Sequence, residues 1–339
     1  MGVEMDLERV PLGSGPTPVR ELTELGHEAG VAPVWMKDDG AYCEIGGNKA
    51  RKLEWLLADA RRRRKRVILT GGAYGTNHGL ATAILARRLG LRTVLVLAPQ
   101  PQTDHVSAQL ARLRASGAEL HFARGLATSY LRAGWLMATR STGAGGMPYP
   151  IPPGGSNPLG TLGYVEAALE LADQVARDEL PEPAHVVVAL GSGGTSAGLL
   201  AGMRLAGLRS RLVCIRVSDV APVGPRRVAW LARRSLAMRR RNGAVARGPA
   251  PSPAELEIED GWLGTGYGQP TPEGERARRL LRERAGVELD PVYTGKAVAA
   301  LLELNRRGAF GEGPVLYWHT YSPPPADLAQ FGPSEHANT

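Results

Sequence analysis

The chain has 339 residues, of which 43% are hydrophobic and 22% charged, and its formal net charge is +8. These values are typical of a globular protein of one or two domains and exclude a low-complexity chain. The apolar runs have the length of strands, so no membrane contact is expected. With only two cysteines, Cys43 and Cys214, and no signal-peptide pattern, the sequence favours a cytoplasmic location.

The positive charge raises nucleic-acid binding as an alternative, because basic clusters attract phosphates. The basic residues concentrate in two segments, 61–66 and 226–247. The first closes a predicted helix, where cations complement the helix dipole, and the second carries apolar residues at helical spacing. No zinc-finger or RNA-binding signature accompanies them. Both segments are therefore predicted to be solvated faces, and no nucleic acid is expected as a partner.

Helices and strands alternate along the chain after an extended arm at residues 1–16. The helices are predicted at 17–29, from Lys49 to the basic run at 61–66, and at 76–89, 105–116, 126–139, 159–177, 195–206, within the basic segment 226–247, at 272–285 and at 295–306. The strands are predicted at 31–37, 67–70, 91–98, 119–123, 186–190, 211–217 and 315–319, before a polar tail that begins at Ser322. Such alternation predicts an α/β fold in which helices cover both faces of parallel sheets.

One lysine motif stands out, Gly-Gly-Asn-Lys-Ala-Arg-Lys-Leu-Glu at residues 46–54. Asn48 is predicted to cap a helix that places Leu53, Leu56 and Leu57 on one face. The positive end of that helix dipole would favour the neutral, nucleophilic form of Lys49, as a Schiff-base lysine requires. The alternative is an ordinary surface lysine. The chain has only five lysines, so few others could serve.

Two further segments have a strand–turn–helix pattern. A buried strand runs into Gly-Ser-Gly-Gly-Thr at residues 191–195, where backbone N–H groups and hydroxyls are predicted to hold an anion. The spacing is neither Gly-x-Gly-x-x-Gly nor a P-loop, and a purely structural turn is the alternative. The second segment is Gly-Gly-Ala-Tyr-Gly-Thr-Asn-His at residues 71–78, for which helix capping by Thr76 is the alternative.

The motif at residues 46–54 resembles the cofactor-lysine motif of the D-cysteine desulfhydrase and 1-aminocyclopropane-1-carboxylate (ACC) deaminase family, and the resemblance extends from about residue 10 to about residue 320. It implies pyridoxal 5'-phosphate (PLP) as cofactor and PLP fold type II, similar to the tryptophan synthase β subunit. That fold has two doubly wound domains with mostly parallel sheets. The large PLP-binding domain is expected at residues 1–49 plus 156–339 and the small domain at residues 50–155.

The resemblance also assigns roles to residues. Those that it implies for cofactor binding are Lys49 (by a covalent bond), Lys52, Asn77, Gly191, Ser192, Gly193, Gly194, Thr195 and Thr320. Those implied for substrate binding are Thr76, Asn77, His78, Gly155 and Ser156. The implied catalytic residues are Lys49, Thr76, Tyr267 and Tyr293. No metal site is predicted.

Two positions favour the desulfhydrase branch. ACC deaminases tend to carry Glu after the second tyrosine and Leu in the final strand, where this chain has Thr294 and Thr320. The resemblance therefore implies a homodimeric, PLP-dependent lyase that converts a small β-substituted amino acid, D-cysteine, to pyruvate, sulfide and ammonia. ACC deamination, cysteate sulfo-lyase activity, β-replacement in a biosynthetic pathway and a catalytically inactive PLP-binding homologue stay open. Tyr321-Ser322 replaces the family's two glycines, which leaves the exact substrate undetermined.

Overall fold

The structure is a computed structural model that describes residues 8–45, 47–141, 145–220, 223–240 and 250–325. Gly46 of the lysine motif, the first seven residues of the predicted arm, the end of the basic segment at 241–247 and the tail after residue 325 lie outside the described residues. Among the helices that the structure describes, none has the length and apolarity needed to span a bilayer.

The elements alternate as the sequence predicts. The strands are β1 (Val19–Glu21), β2 (Val34–Asp38), β3 (Val67–Ala73), β4 (Arg92–Ala98), β5 (Glu119–Phe122), β6 (Tyr149–Pro150), β7 (His185–Leu190), β8 (Arg211–Arg216), β9 (Leu256–Glu259) and β10 (Val315–His319). The helices are α1 (Asn48–Arg62), α2 (Asn77–Arg88), α3 (Asp104–Ala115), α4 (Leu126–Thr139), α5 (Pro158–Ala176), α6 (Gly194–Ala206), α7 (Pro225–Arg240), α8 (Pro272–Ala285) and α9 (Thr294–Arg306).

The strands form two sheets. A six-stranded sheet has the order β1-β2-β10-β7-β8-β9, and a four-stranded sheet has the order β5-β4-β3-β6. Among the described strands, β1 and β2 pair antiparallel and every other pair is parallel. The predicted α/β class with mostly parallel sheets is confirmed. The four-stranded sheet lies wholly within residues 67–150. The boundaries 1–49 plus 156–339 and 50–155 remain a proposal.

Strand β7 shows why the six-stranded sheet needs helices on both sides. Val186 and Val188 pack into one core with α5, α6 and α7, whereas Val187 packs into a second core with α8 and α9. Successive side chains of a strand point to opposite faces, so a continuous apolar run is buried on both. Because β2, β10, β7 and β8 pair in parallel, their carboxyl ends lie at the same edge of the sheet.

The predicted helix at 17–29 is wrong in its first half. Residues Val19–Glu21 form β1, and a 3₁₀ helix occupies only Thr23–Ala29. The strand arises from pairing with β2, in which Val19 lies opposite Lys37. Pairing of this kind overrides local helix preference and leaves no local signal. Strands β6 and β9 were not predicted either, because they are short edge strands that depend on their neighbours for pairing.

Helix α1 is anchored by a buried ionic cluster. The Arg51 guanidinium donates to Asp39 Oδ1 at 2.8 Å and to Glu170 Oε1 at 3.0 Å. Lys37 Nζ donates to the same Glu170 oxygen at 2.7 Å. Burial alone would raise the pKa of Asp39, but Arg51 and then Lys37 lower it below its ordinary value. The cluster joins α1, α5 and the end of β2, and so fixes the position of the lysine motif.

Candidate active site

A cavity of about 1020 Å³ lies where the carboxyl ends of strands from both sheets meet. Its lining includes Gly71–Ala73 of β3, Ala98 of β4, Ala189 of β7 and Thr320 just after β10. Ligands of parallel α/β proteins bind outside the carboxyl ends of the strands, where connecting loops and helix N-termini converge. The predicted site residues that line the cavity are Lys49, Lys52, Thr76, Asn77, His78, Gly191, Ser192, Gly193, Thr195, Tyr267, Tyr293 and Thr320.

Lys49 lies in the first turn of α1 and lines this cavity. Burial lowers the pKa of its amine to about 8, against an opposing effect of Asp290. Its Nζ donates to Asn48 Oδ1 at 2.6 Å. The N-cap of α1 is Gly47, so the predicted capping by Asn48 is wrong. The Asn48 side chain instead contacts Lys49 and donates to Thr195 Oγ1 at 3.4 Å.

The glycine-rich turn at residues 191–195, which we call the anion cradle for its predicted role, leads into the start of α6 and lines the cavity. Gly193, with φ 84°, precedes the helix, and a Cβ on Gly194 would stand 2.5 Å from Ser156 Oγ. The first N–H groups of a helix have no partner within the helix, and its dipole attracts negative charge. Lys52 Nζ would lie 3.1 Å from that same Cβ position. Burial and then Lys49 hold the pKa of Lys52 well below its ordinary value, and an anion bound here would favour the charged form of this amine.

The loop before α5 supports the cradle. Ser156 Oγ lies 2.7 Å from Ser192 Oγ and accepts from the Gly194 N–H at 3.1 Å. Gly155, with φ 65°, packs against Leu56 and Lys52 of α1. Neither Gly155 nor Ser156 lines the cavity described above. Both were predicted to contact substrate, and that role stays a prediction.

The start of α2 presents polar groups to the cavity. Thr76 Oγ1 accepts from the Gly79 N–H at 3.0 Å, so Thr76 does cap the helix. His78 Nε2 lies 3.0 Å from Thr70 Oγ1, whereas its buried Nδ1 has no partner among the described residues. Burial, followed by Lys49 and Lys52, lowers the pKa of His78 to about 3, so its ring is neutral. The unpartnered nitrogen is available to a ligand.

Tyr267 and Tyr293 meet at one wall of the cavity. Their hydroxyls are hydrogen-bonded and their rings pack edge to face with centroids 6.0 Å apart. Burial and then the Tyr267 hydroxyl hold the pKa of Tyr293 well above its ordinary value. A Cβ on Gly191 would lie 3.1 Å from the Tyr293 ring, which places this pair directly against the glycine-rich turn.

Asp290 and Gln109 line the cavity and were not predicted as site residues. Asp290 is buried and accepts from the backbone of Tyr293 at 2.7 Å and from Thr294 Oγ1 at 2.7 Å. Its signal was present, because Asp followed by Pro favours the start of a turn. Gln109 of α3 also lines the cavity and donates to Asn77 Oδ1 at 2.8 Å. Nothing in its local sequence distinguishes it from an ordinary helix residue.

Tyr321 and Ser322, which replace the two glycines of the family pattern, line the same cavity as Thr320. Burial, followed by Asp290, raises the pKa of Tyr321 to about 12. Ser322 Oγ donates to Glu44 O at 3.3 Å. The tyrosine therefore adds a neutral aromatic wall where the family pattern has no side chain.

These groups fit pyridoxal phosphate. A lysine with a lowered pKa suits its aldehyde, and a helix N-terminus beside a second lysine suits its phosphate. The cavity of about 1020 Å³ leaves room for the cofactor, and the unpartnered His78 Nδ1 awaits a ligand atom. No group of acidic, histidine and cysteine side chains that could hold a metal is found among the described residues.

Comparison with known proteins agrees with this geometry. Residues 10–320 match the family described as "Pyridoxal-phosphate dependent enzyme". A D-cysteine desulfhydrase of Klebsiella pneumoniae (strain 342) is 37% identical over 325 residues, which cover 93% of this chain and 94% of the relative. A D-cysteine desulfhydrase of Yersinia enterocolitica is 36% identical over 321 residues, with coverage of 93% and 94%.

Solved structures give the same fold. The structure titled as an ACC deaminase homologue superposes with a TM-score of 0.77 at 33% identity and covers 93% of this chain and 92% of its own. O-ureido-L-serine synthase superposes with a TM-score of 0.63 at 18% identity, with coverage of 93% and 90%, and bears on the fold alone. Both superpositions extend over both sheets, not over one of them.

Proposed function

The chain belongs to the family of pyridoxal-phosphate dependent enzymes, and from this premise we propose that it eliminates the β-substituent of a small amino acid, with D-cysteine as substrate. Pyruvate, sulfide and ammonia would be the products. This chain is a lyase, and PLP is its cofactor. The observation that carries the proposal is Lys49, an amine with a pKa of about 8 at the meeting point of the two sheets.

Binding of the cofactor would use two sides of the cavity. Lys49 would hold it covalently, while the α6 N-terminus and Lys52 would hold its phosphate. Asn77 would bond its phenolic oxygen, and Thr320 would lie at its pyridine nitrogen. A hydroxyl leaves that nitrogen largely unprotonated, which suits loss of a β-substituent. When bound, PLP draws electrons from the substrate's α carbon.

Proton transfer would fall to Lys49. A neutral amine accepts the α proton of the substrate, and a pKa of about 8 keeps a useful neutral fraction near neutral pH. Asp290 opposes the effect of burial and so stops this pKa from falling further. Thr76, Asn77 and the neutral His78 would hold the substrate carboxylate by hydrogen bonds from the start of α2.

Thr294 favours D-cysteine over ACC. Its hydroxyl is buried against Asp290 Oδ2 at 2.7 Å and does not line the cavity. Because Thr294 stands where ACC deaminases tend to carry Glu, the carboxylate of those enzymes is absent at this position.

We further propose that the protein is a cytoplasmic homodimer that binds neither nucleic acid nor membrane. Light scattering of the purified protein tests the dimer.

Substrate choice tests the proposal directly. We expect kcat/KM for D-cysteine to exceed that for L-cysteine, cysteate and ACC by about tenfold or more, because pocket contacts discriminate among small analogues. The assay measures sulfide and pyruvate from D-cysteine, sulfite from cysteate and 2-oxobutanoate from ACC. A preference for cysteate or ACC would replace the substrate, and product formation only in the presence of an added nucleophile would indicate β-replacement.

The hydrogen-bonded tyrosines supply a second prediction. Tyr293→Phe and Tyr267→Phe should each lower kcat by about tenfold or more, since a positioned proton donor is lost or left unsupported. The double variant should be no slower than the slower single variant, because groups that act as a unit are not additive. Steady-state kinetics of the three variants check this. Two independent losses that multiply would show that the hydroxyls act separately.

A further inference from the structure

A chain of hydrogen bonds leads from Arg112 through Gln109, both on α3, to Asn77 in the cavity. Arg112 Nη1 donates to Gln109 Oε1 at 3.4 Å, and Gln109 Nε2 donates to Asn77 Oδ1 at 2.8 Å. Gln109 is only 1% exposed. Asn77 and Gln109 both line the cavity, whereas Arg112 does not. The chain therefore connects a cation outside the cavity to a side chain inside it.

The chain fixes which end of each amide faces which neighbour. A guanidinium can only donate, so the end of Gln109 that faces Arg112 must be its oxygen. The Gln109 nitrogen then faces Asn77 and can meet only the Asn77 oxygen. The Asn77 amide nitrogen makes no hydrogen bond within the described part of the chain, so it can donate to a ligand in the cavity.

We propose that Gln109 is a positioning residue that holds Asn77 with its amide nitrogen toward the ligand. The inference rests on the proposed function, in which Asn77 donates to the phenolic oxygen of bound PLP. A donor at that oxygen stabilises its anionic form. Gln109 thus controls the charge state of the cofactor without touching the phenolic oxygen, through the orientation of one amide.

Two substitutions separate this role from simple packing. Gln109→Glu keeps the shape but offers only acceptors, so the Asn77 nitrogen would turn toward α3 and its oxygen toward the cavity. The new carboxylate would still pair with Arg112, which limits the cost of burying it. Gln109→Met keeps the length, removes both hydrogen bonds and introduces no charge, so it isolates the loss of orientation from the effect of charge.

The readout is the pH at which the visible absorbance of bound cofactor titrates, measured in PLP-loaded protein. We expect Gln109→Glu to raise this midpoint by about one unit or more, and Gln109→Met to raise it by less. The other charged or titratable groups around the cavity stay the same in all three proteins: Lys49, Lys52, His78, Arg112, Arg124, Tyr130, Tyr267, Asp290, Tyr293 and Tyr321. The fraction of protein loaded with cofactor at limiting PLP gives a second readout. It should be highest in the wild type, lower in Gln109→Met and lowest in Gln109→Glu.

Equal midpoints in the three loaded proteins would overturn the role of Gln109. A midpoint that rises in Gln109→Glu but not in Gln109→Met would overturn it too, because charge alone would then explain the shift. Thermal unfolding of the unloaded proteins shows that each variant is folded. The comparison needs bound cofactor but no turnover. If the three proteins titrate as expected but leave D-cysteine intact, the proposed substrate is refuted and the positioning role of Gln109 is supported.

Discussion

Lys49→Ala should abolish both turnover and the visible absorbance of lysine-bound cofactor. The substitution removes the covalent attachment and the group that takes the α proton, and a positioned general base alone supplies about 10²–10⁴-fold in rate. The remaining cavity, including the α6 N-terminus and Lys52, is untouched. The measurement is an absorbance spectrum of the PLP-treated protein, followed by the release of sulfide and pyruvate from D-cysteine.

Lys52→Met is the matched control. Lys52 lies one helical turn from Lys49 on the same face of α1, so both substitutions delete one amine from this face, although Lys52 is buried and Lys49 is half-buried. In this variant the absorbance should persist, while cofactor affinity falls about tenfold or more because a charged partner of the phosphate is lost. If Lys52→Met lost the band and Lys49→Ala kept it, the two roles would have to be exchanged.

The lysine motif shows how far sequence reasoning reaches. Its residues divide between two faces of α1, with Lys49 and Lys52 toward the cavity and Arg51 and Glu54 away from it. Glu54 Oε1 accepts from Tyr42 Oη at 2.8 Å and from the Leu12 N–H at 3.0 Å. Helical spacing predicts that such pairs lie on opposite faces. It does not tell which face is the site and which is the scaffold.

Local patterns predicted the parallel core but not its edge. Strands such as β7 and β10 are continuous apolar runs, which identify themselves without knowledge of their partners. Strand β1 does not, since Val19–Glu21 becomes a strand only by pairing with β2. The same limit applies to the site. Gln109 and Asn77 are 32 residues apart, and only the packing of α3 against α2 joins them.

The scaffold face of α1 leads to the largest expected change in stability. Arg51 is 3% exposed and pairs with Asp39 and Glu170, of which Asp39 is fully buried. Arg51→Met removes the main cation beside Asp39, while Glu170 keeps its pair with Lys37, and breaking a buried ion pair in this way costs about 3–5 kcal/mol. The free energy of unfolding, obtained from urea titration at neutral pH, should fall by that amount.

The pH dependence of this loss identifies its cause. In the wild type the pKa of Asp39 lies below its ordinary value, so its contribution is present above that ordinary value and is lost only as pH falls through the lowered one. In Arg51→Met, burial without the main cation should raise the pKa above the unfolded value, so the variant gains stability as acid protonates the carboxyl. The difference between the two proteins in free energy of unfolding should therefore shrink from pH 7 toward pH 4.

Arg306→Met, at the exposed pair with Glu303, should leave the unfolding midpoint unchanged at both pH values. A difference that stayed constant with pH would mean that Arg51 stabilises α1 by packing on Tyr42, whose ring lies 3.9 Å from the guanidinium, and not by its charge.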